Sequence, residues 1–506
     1  MATFSTITGD PIPKGRTYEG GAGYARDPKG ELFLLAVTNM ASEPTFYETA
    51  RERDQRFATL VRECTLADPE WTARLLRWLR KDAHLRSASL IGAAEFTKAR
   101  LDAGLAGMSR QVVDSVLQRA DEPGELLAYW MSTYGRAIPK PVKRGVADAV
   151  ARLYTEHSLL KYDSDARGFR FGDVLELTHA TPTREGQGAL FSYAIDRRHG
   201  RGTVPDPAVL PVLACNSVFG EAVANDPSVL LNSDELRRAG MTWESALSLA
   251  GTRVDKARLW EALIPSMGYM ALLRNLRNFD EAGVSDETAD LVAARLADPD
   301  QVAQSRQLPM RFLSAYRAAP SLRWSWPLEQ ALTHSLSNIP RLSGRTLVLV
   351  DRSGSMFSDR LSPRSDLTRA DAAAMFGTAL ALRCEHASLV EFGTTSRTVT
   401  VHRGDSLLRS VESFHCLGGT NTVGAVRTHY RSHDRVVIVT DEQAAYGDVG
   451  AMIPDDVPLY TWNLAGYRYG HASSGGRNRH TFGGLTDAAF RAIPLLESGQ
   501  NADWPF

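Results

Sequence analysis

A change in hydrophobic periodicity near Arg341 divides this sequence into two parts. Before it, apolar residues recur at helical spacing, as they do across Pro69–Lys81. After it, short apolar runs such as Leu347–Val350 and Val436–Val439 alternate with helical segments. This alternation is typical of a parallel, doubly wound α/β sheet. The sequence therefore predicts a large all-α part followed by an α/β domain.

The charge balance excludes one class of nucleic-acid binder. Lys and Arg total 58, Asp and Glu total 59, and the net charge is −1. A chain that is basic throughout is excluded, whereas a local basic face is not. Such a local excess lies between residues 136 and 201, which hold 12 basic and 8 acidic residues.

The cysteines and the hydropathy indicate the compartment. Cys64, Cys215, Cys384 and Cys416 form no CxxC pair, which excludes a zinc ribbon. A disulfide framework is not expected in a chain of this size, so the pattern indicates a reducing compartment. The N-terminus lacks the apolar core of a signal peptide, and no run approaches the ~18 apolar residues of a spanning helix. We expect a cytoplasmic protein that does not associate with a membrane.

Oxygen-bearing side chains gather after two predicted strands. Asp351 and Asp441 each follow a strand, Ser353 and Ser355 alternate after Asp351, and Thr420 follows a glycine pair. Ligands of open α/β sheets bind outside the C-terminal strand ends. Hard oxygen ligands suit Mg²⁺, Ca²⁺ or Mn²⁺ rather than zinc, and we expect a divalent cation, Mg²⁺ first. The alternative is that these side chains only cap loops.

A helix start in the first part carries unusual charges. Pro141 suits a first helical turn, in which Lys143 and Arg144 then fall, with Lys140 just before it. Cations there oppose the helix macrodipole, and a bound phosphate would relieve that conflict. A solvated basic patch is the alternative. Downstream, His179 lies near the end of another predicted helix, either as a capping donor or in reach of a phosphate or base.

Together, these motifs resemble the TROVE-module proteins of the Ro autoantigen family, which end in a von Willebrand factor A domain. In the second part, the aspartates, serines and Thr420 resemble a metal-ion-dependent adhesion site. The ending Arg479–Asp487 resembles the family's last elements. The helical motifs that carry the resemblance are Phe33–Leu35, Thr45–Tyr47, Gly135–Ala137, Lys161–Tyr162, Asp173–His179 and Leu272–Leu276.

The resemblance implies an architecture. It implies an N-terminal extension over residues 1–19, a TROVE helical-repeat RNA-binding module over 20–336 and a von Willebrand factor A domain over 345–506. The helical module is expected to be an all-α ring of HEAT-like repeats, and the A domain a doubly wound, Rossmann-like α/β fold.

The resemblance also implies a function, that of an RNA-binding ribonucleoprotein subunit. Such a protein is expected to bind small noncoding Y-like RNA on a basic outer surface. It is also expected to bind single-stranded 3′ ends of misfolded RNA through the ring, with an exoribonuclease as a candidate partner and no DNA specificity. The residues carried over as candidate RNA contacts are Lys140, Lys143, Arg144 and His179, followed by Arg136 and Lys161.

For the A domain, the resemblance implies that Ser353, Ser355 and Thr420 ligate the cation and that Asp351 and Asp441 hold it, partly through water. Arg352 departs from the family, where an apolar residue is common. It either lowers the local negative charge or points to solvent. Phe46 and Tyr47, in the string that replaces the family's early aromatic motif, are expected to be packing residues.

Two other functions remain as alternatives. One is a protein-adhesion scaffold that binds a partner's carboxylate at the metal site, without RNA. The other is a metal-dependent enzyme, for which Glu442 is the adjacent candidate base. Because the sequence has no GxSxG elbow and no P-loop lysine pattern, we expect a protein that is not an enzyme.

Overall fold

The structure is a computed structural model. It describes residues 7–38, 44–164, 168–337, 339–358, 360–361, 366–402, 404–476, 478–484, 490, 492–498 and 504–506. The first six residues of the expected N-terminal extension therefore lie outside the described residues. So do residues 485–487 of the ending that resembles the family.

Helices dominate the described chain up to residue 335, and five further α-helices, α20–α24, follow among the strands of the last third. The α-helices are α1 (Pro28–Thr38), α2 (Ala50–Ala67), α3 (Pro69–Lys81), α4 (Arg86–Asp102), α5 (Ser109–Val116), α6 (Glu122–Tyr134), α7 (Lys140–Leu153), α8 (Glu156–Tyr162), α9 (Phe171–Thr178), α10 (Gln187–Arg198), α11 (Pro211–Asn225), α12 (Ser233–Arg238), α13 (Trp243–Ala250), α14 (Lys256–Leu263), α15 (Tyr269–Ala282), α16 (Asp286–Ala297), α17 (Pro299–Ser305), α18 (Met310–Ala318), α19 (Leu322–Ser335), α20 (Gly354–Ser358), α21 (Arg369–Arg383), α22 (Leu407–Glu412), α23 (Thr422–His429) and α24 (Ala492–Glu497). Short 3-10 turns cover Pro227–Leu231, Ile264–Ser266 and Gly450–Met452.

Strands lie at the N-terminus and in the last third of the chain. They are β1 (Gly15–Arg16), β2 (Ala22–Ala25), β3 (Leu342–Asp351), β4 (Cys384–Phe392), β5 (Ser396–Thr398), β6 (Arg435–Thr440), β7 (Leu459–Asn463), β8 (Tyr469–Gly470) and β9 (Arg479–Gly483). The main sheet has the order β5-β4-β3-β6-β7-β9, and all neighbours are parallel except the β4–β5 pair. A smaller sheet joins β1, β2 and β8.

The chain packs as two compact units. One holds Asp68–Leu296 and Ala319–Trp324, and is helical. The other holds Met1–Ala67, Ala297–Ala318 and Ser325–Phe506, and contains the main sheet. The predicted fold class, a helical part followed by a doubly wound α/β domain, is confirmed. The domain bounds predicted from the sequence stay a prediction.

Close contact between two helices positions α7 in the helical unit. Gly145 of α7 faces α5 so tightly that a Cβ there would lie 2.6 Å from the carbonyl oxygen of Arg110 and 2.7 Å from Cβ of Val113. Val142, Val146, Ala149 and Val150 complete the buried face of α7. This close packing at a glycine fixes the position of α7 along its axis and its rotation against α5. It thereby also fixes the placement of the basic residues of α7.

The main sheet is covered on both faces, because alternate side chains of a strand point to opposite sides. Leu347 and Leu349 join a buried cluster with α23 on one face. Val350 packs against α21 on the other, where Gly377 would place a Cβ 2.3 Å from Cγ2 of Val350. The predicted bounds of α21, Arg369 to Arg383, agree with the structure. In the part of the chain that the structure describes, no helix combines the length and apolarity that crossing a membrane requires.

Candidate functional site

The first candidate site is the start of α7. The helix begins at Lys140, one residue earlier than the sequence predicts, so Lys140 is itself the first helical residue. Pro139 precedes it, no side chain caps the helix, and the first turn contains no acidic residue. An uncapped N-terminus leaves N–H groups for an outside acceptor, and its partial positive charge favours an anion.

The candidate cations of the helical unit are accessible to solvent. Arg136, Lys140, Arg144 and Lys161 are exposed, and Lys143 is half-buried. None of these five forms an ion pair with an aspartate or glutamate that the structure describes. Lys161 lies beside the ring of Tyr162, with Nζ 5.3 Å from the ring centroid. Their positive charge is therefore available to an external polyanion.

Neighbouring basic residues, in contrast, are neutralised within the protein. Arg110 bonds Asp148 and Arg152 bonds Asp114, with shortest distances of 2.6 and 2.8 Å. Arg198 bonds Asp173 at 2.7 Å, and Arg201 bonds Asp196 at 2.8 Å. These four arginines are therefore committed to aspartates of the protein, unlike the candidate cations that the sequence singles out.

His179 ends α9 in the left-handed backbone conformation, with φ of 54°. The cap is made by its backbone N–H, which donates to the carbonyl oxygen of Leu175 at 2.8 Å. Phe171, Val174, Leu175 and Thr178 are buried as predicted, whereas the imidazole of His179 is exposed. The side chain is therefore placed to meet a ligand from solvent.

The second candidate site lies in the other unit, at the C-terminal ends of β3 and β6. These strands are adjacent and parallel, with Val350 opposite Val439. The strand that follows β3 in the sequence, β4, lies on one side of β3, and β6 lies on the other side. The strand order therefore reverses at β3, which makes this a topological switch point of the sheet. This is the kind of crevice in which open α/β sheets bind ligands. Asp351 ends β3 and Asp441 directly follows β6, as predicted.

Hydrogen bonds hold the predicted ligands in place. Thr440 Oγ1 donates to Asp351 Oδ2 at 2.5 Å, and the backbone N–H of Ser353 donates to Asp351 Oδ1 at 2.9 Å. The hydroxyl oxygens of Ser353 and Ser355 are 3.2 Å apart. Asp441 accepts from the backbone N–H of Gln443 at 3.1 Å.

Backbone hydrogen bonds tie the loop that carries Thr420 to the loops of both aspartates. The N–H of Gly354 donates to the carbonyl oxygen of Gly418 at 2.6 Å, and the N–H of Ala445 donates to that of Thr420 at 2.9 Å. Gly418 adopts φ of 79°, which glycine allows without steric cost. Thr420 is buried, and the three loops form one connected polar site.

The electrostatics of the site favour a cation. Burial raises the pKa of Asp351, and burial together with the charge of Asp351 raises the pKa of Asp441 to about 7. Two buried carboxylates in such proximity repel each other unless a positive charge lies between them. Among the described residues, no group of three or more His, Cys, Asp or Glu side chains could hold a metal, so the serine and threonine hydroxyls are needed as ligands. This donor set fits a hard divalent cation that retains water ligands.

One interpretation of Arg352, that it points to solvent, is wrong. Its side chain is buried, and its guanidinium donates to the carbonyl oxygens of His415 at 3.0 Å and of Ala370 at 2.5 Å. It also lies 4.5 Å from the ring centroid of Phe357. Its charge lowers the pKa of Asp351, although burial outweighs this effect. The buried guanidinium of Arg352 is therefore accommodated by carbonyl oxygens and an aromatic ring.

Glu442, the candidate base of the enzyme hypothesis, is buried in an ion pair. Its Oε2 lies 2.5 Å from Nη2 of Arg26, and the amide of Asn463 donates to the same carboxylate. A carboxylate held in this way has a structural role in the ion pair. The expectation that the protein is not an enzyme stays a prediction.

Tyr47 is a residue of this site that the sequence does not identify. Its hydroxyl hydrogen-bonds Glu19, and burial, that hydrogen bond and the charge of Asp441 raise the pKa of Tyr47. No local pattern could have indicated this interaction, because Tyr47 and Asp441 belong to distant parts of the chain that only the tertiary fold brings together.

The chain is similar to known proteins in sequence and in fold. The model of the TROVE domain matches residues 234–342. "RNA-binding protein RO60" of Deinococcus radiodurans is 23% identical over 467 residues, covering 86% of this chain and 84% of that protein. The crystal structure of the Deinococcus radiodurans RO (RSR) protein matches with a TM-score of 0.62 and 19% identity, covering 94% of this chain and 100% of that one.

A second relative is similar over a shorter region. "Telomerase protein component 1" of Mus musculus is 43% identical over 83 residues, which is 16% of this chain and 3% of that protein. The chain thus spans only a small fraction of the telomerase components it matches, and most of the bacterial RO protein. The resemblance predicted from the sequence is confirmed: a TROVE domain model matches part of this chain, and the chain is similar to the Deinococcus radiodurans RO protein over most of its length.

Proposed function

We propose that this protein binds RNA through the start of α7. The observation that carries the proposal is the set of accessible cations that have no carboxylate partner among the described residues, whereas the neighbouring Arg110, Arg152 and Arg198 each pair with an aspartate. Phosphate contacts supply most of the affinity of nucleic-acid binding, and an uncapped helix start adds N–H donors for the same oxygens. The names of the relatives, an RNA-binding protein and a telomerase component, support this choice of polyanion.

The finer proposal is a ribonucleoprotein subunit. Small noncoding Y-like RNA would bind the basic surface, whose contacts would be Arg136, Lys140, Lys143, Arg144, Lys161 and His179. Single-stranded 3′ ends of misfolded RNA, passing through a ring, and an exoribonuclease partner follow from the family resemblance alone. His179 would stack on a base or meet a phosphate, since its imidazole is exposed.

The compact unit that contains the main sheet is proposed to bind a divalent cation, with Mg²⁺ as the first candidate. Ser353, Ser355 and Thr420 would ligate it, and Asp351 and Asp441 would hold it, partly through water. When bound, the ion would offer an open position for a carboxylate oxygen of a partner. The buried, mutually repelling carboxylates support this proposal.

Charge reversal with a matched control tests RNA binding. The double variant Lys143→Glu/Arg144→Glu is compared with Arg237→Glu/Arg238→Glu, an equally basic and adjacent pair that already bonds Asp234 and Glu235. The probe is a labelled RNA hairpin with a single-stranded 3′ tail, titrated by fluorescence anisotropy at several salt concentrations. We expect the first variant to lose about tenfold or more in affinity and the control to lose much less. Equal affinity of the first variant and the unmodified protein would refute the assigned surface.

The second candidate function is a protein-adhesion scaffold that binds partner carboxylates without RNA. The oxygen-rich site at the ends of β3 and β6 favours it. Chelation separates the two functions, because RNA binding by α7 should survive EDTA whereas adhesion through Asp351 and Asp441 should not. Protein capture that requires Mg²⁺, from a chain that does not retain the RNA probe, would establish the scaffold instead.

A further inference from the structure

Glu442, which follows Asp441, adopts a backbone conformation that is unusual for a residue with a side chain. Its φ is 65°. This is the left-handed region, which glycine adopts freely and other L-residues adopt at a steric cost. The side chain of Glu442 is fully buried. Strained conformations of this kind persist only where the surrounding structure holds them, and they cluster at functional sites.

The turn at Glu442 directs two successive backbone N–H groups toward the proposed cation site. The N–H of Glu442 donates to Oγ1 of Thr440 at 3.0 Å, and this Oγ1 donates in turn to Oδ2 of Asp351 at 2.5 Å. The next N–H, that of Gln443, donates to Oδ1 of Asp441 at 3.1 Å. The dihedral angles of Glu442 set the angle between these two N–H groups, so its left-handed conformation serves both carboxylates.

The hydrogen bonds of the Thr440 hydroxyl have a defined direction. A backbone N–H can only donate, so Oγ1 accepts from Glu442, and the one hydroxyl proton is left for Asp351. Hydrogen bonds of this kind stabilise the charged form of a carboxylate. They also fix the orientation of carboxylates that bind a metal. The backbone of Glu442 therefore acts on Asp351 through Thr440.

An ion pair with the N-terminal part of the chain holds the side chain of Glu442. Nη2 of Arg26 lies 2.5 Å from Oε2 of Glu442, and the amide of Asn463 donates to the same oxygen. Both side chains of the ion pair are buried. Gly470 packs against it so closely that a Cβ there would lie 2.1 Å from Nη2 of Arg26. All four residues belong to one compact unit, in which Arg26 anchors the turn that follows Asp441.

We propose that Arg26 and Glu442 are positioning residues of the cation site. Their ion pair holds Glu442 in the left-handed conformation. In that conformation two successive N–H groups orient the carboxylates of Asp351 and Asp441 toward a divalent cation. The proposal rests on the cation site of the proposed function, and it extends the outer shell of that site to the N-terminal part of the chain. Without the ion pair, residue 442 would relax to an ordinary backbone conformation, and only the remaining left-handed fraction would be competent to bind the ion.

Calorimetric titration of the full chain with Mg²⁺ tests the proposal on two double variants, Arg26→Met/Glu442→Ala and Arg26→Met/Glu442→Gly. Both remove the ion pair without leaving a buried charge unpaired. They differ only at residue 442, where glycine adopts a φ of 65° far more readily than alanine does. We expect the alanine variant to bind Mg²⁺ about tenfold more weakly than the glycine variant, as for the loss of an outer-shell partner of a metal ligand. Equal affinities would overturn the proposal, because an ion pair with only a structural role predicts them.

Another buried ion pair of the same compact unit supplies the matched control. Nε of Arg435, at the start of β6, lies 2.5 Å from Oε1 of Glu497, whereas Thr440 ends that strand. Arg435→Met/Glu497→Ala should keep the Mg²⁺ affinity within about twofold of that of the unmodified protein, because distant sites act independently. A loss as large as that of Arg26→Met/Glu442→Ala would contradict a specific role of Arg26.

Two variants of Thr440 test the hydrogen bonds independently of the ion pair. Thr440→Val keeps the shape of the side chain and lacks the hydroxyl, whereas Thr440→Ser keeps the hydroxyl. The valine variant should bind Mg²⁺ about tenfold more weakly than the serine variant, because Asp351 loses its donor. Equal affinities of these two variants would contradict the action of Glu442 on Asp351 through Thr440.

The same titrations separate the positioning role from the cation site itself. An unmodified protein that binds no Mg²⁺ would refute both the cation site and the positioning role. Mg²⁺ binding by the unmodified protein, with equal affinities of the alanine and glycine variants, would refute the positioning role and leave the cation site intact.

Discussion

Arg110 of α5 donates two hydrogen bonds, at 2.6 and 2.8 Å, to Asp148 of α7. The acidic residue that shares a helix with Lys140 and Arg144 is thereby committed to a neighbouring helix. It does not neutralise the cations at the helix start. This pairing separates basic residues that serve the fold from basic residues that are available to a ligand.

Replacing single arginines by alanine should distinguish the basic residues that are available to a ligand from those that pair within the protein. Arg144→Ala should reduce RNA affinity several-fold and lower the magnitude of the slope of log affinity against log salt by about 0.7–1, the range for one lost phosphate contact. Arg110→Ala, at an exposed residue that is already paired, is the control and should leave the slope unchanged. The measurement is anisotropy over a range of salt concentrations. A larger change of slope for Arg110→Ala than for Arg144→Ala would contradict the assignment.

Removing one carboxylate should abolish the response to Mg²⁺. In the unmodified protein, saturating Mg²⁺ should raise the melting temperature, because a ligand at ~100 times its Kd adds about 2.7 kcal/mol. The Asp441→Asn variant should have the same melting temperature in Mg²⁺ as in EDTA. Without metal it should be at least as stable as the unmodified protein, since a repelling buried charge is gone. Asp455→Asn, at a fully exposed position, should keep the Mg²⁺ response.

Acid should destabilise the α/β domain through His480. Burial, followed by the charge of Arg479, lowers the pKa of His480 from 6.5 to about 4. The unfolded chain therefore binds a proton at higher pH than the folded chain does. Stability is complete above pH 6.5 and decreases as the pH falls from 6.5 toward 4.

His480→Phe should reduce this loss, because the ring still stacks on Tyr460 and no longer takes a proton. A shift of one pKa unit corresponds to about 1.4 kcal/mol, so the variant should lose at least ~1 kcal/mol less between pH 7 and pH 5. Urea unfolding at both pH values measures the difference. Identical losses in the two proteins would show that His480 is not a source of the acid sensitivity.

Gly145→Ala should destabilise the helical unit, because the new Cβ would meet the backbone of α5 at 2.6 Å. Overpacking of this kind costs about 1–3 kcal/mol. Gly220→Ala, in α11, is the matched control, since nothing lies within 4 Å of its Cβ position. That change should stabilise the protein by about 0.5–1 kcal/mol, because alanine is the better helix former. Urea unfolding of both variants checks the signs, and a stabilised Gly145→Ala would contradict the close packing of α7 on α5.

Local patterns determined the fold class and many of the elements, although not the short strands β1 and β2 near the N-terminus. Helical periodicity located α3 and α21 at their observed bounds, and the apolar runs located the ends of β3 and β6. Backbone preferences and burial act over a few residues, so they can be inferred from the sequence. The parallel order of the strands then brings Asp351 and Asp441 to one edge of the sheet without further information.

The partners of side chains were decided by the tertiary structure alone. Nothing near Arg110 or Lys140 in the sequence tells which of them finds a carboxylate, since ion pairs form between helices that packing brings together. The burial of Arg352 and the electrostatic interaction of Tyr47 with Asp441 have the same origin. The sequence by itself determined which residues could bind a polyanion or a cation. The fold decided which of them remain available, because availability depends on neighbours that are distant along the chain.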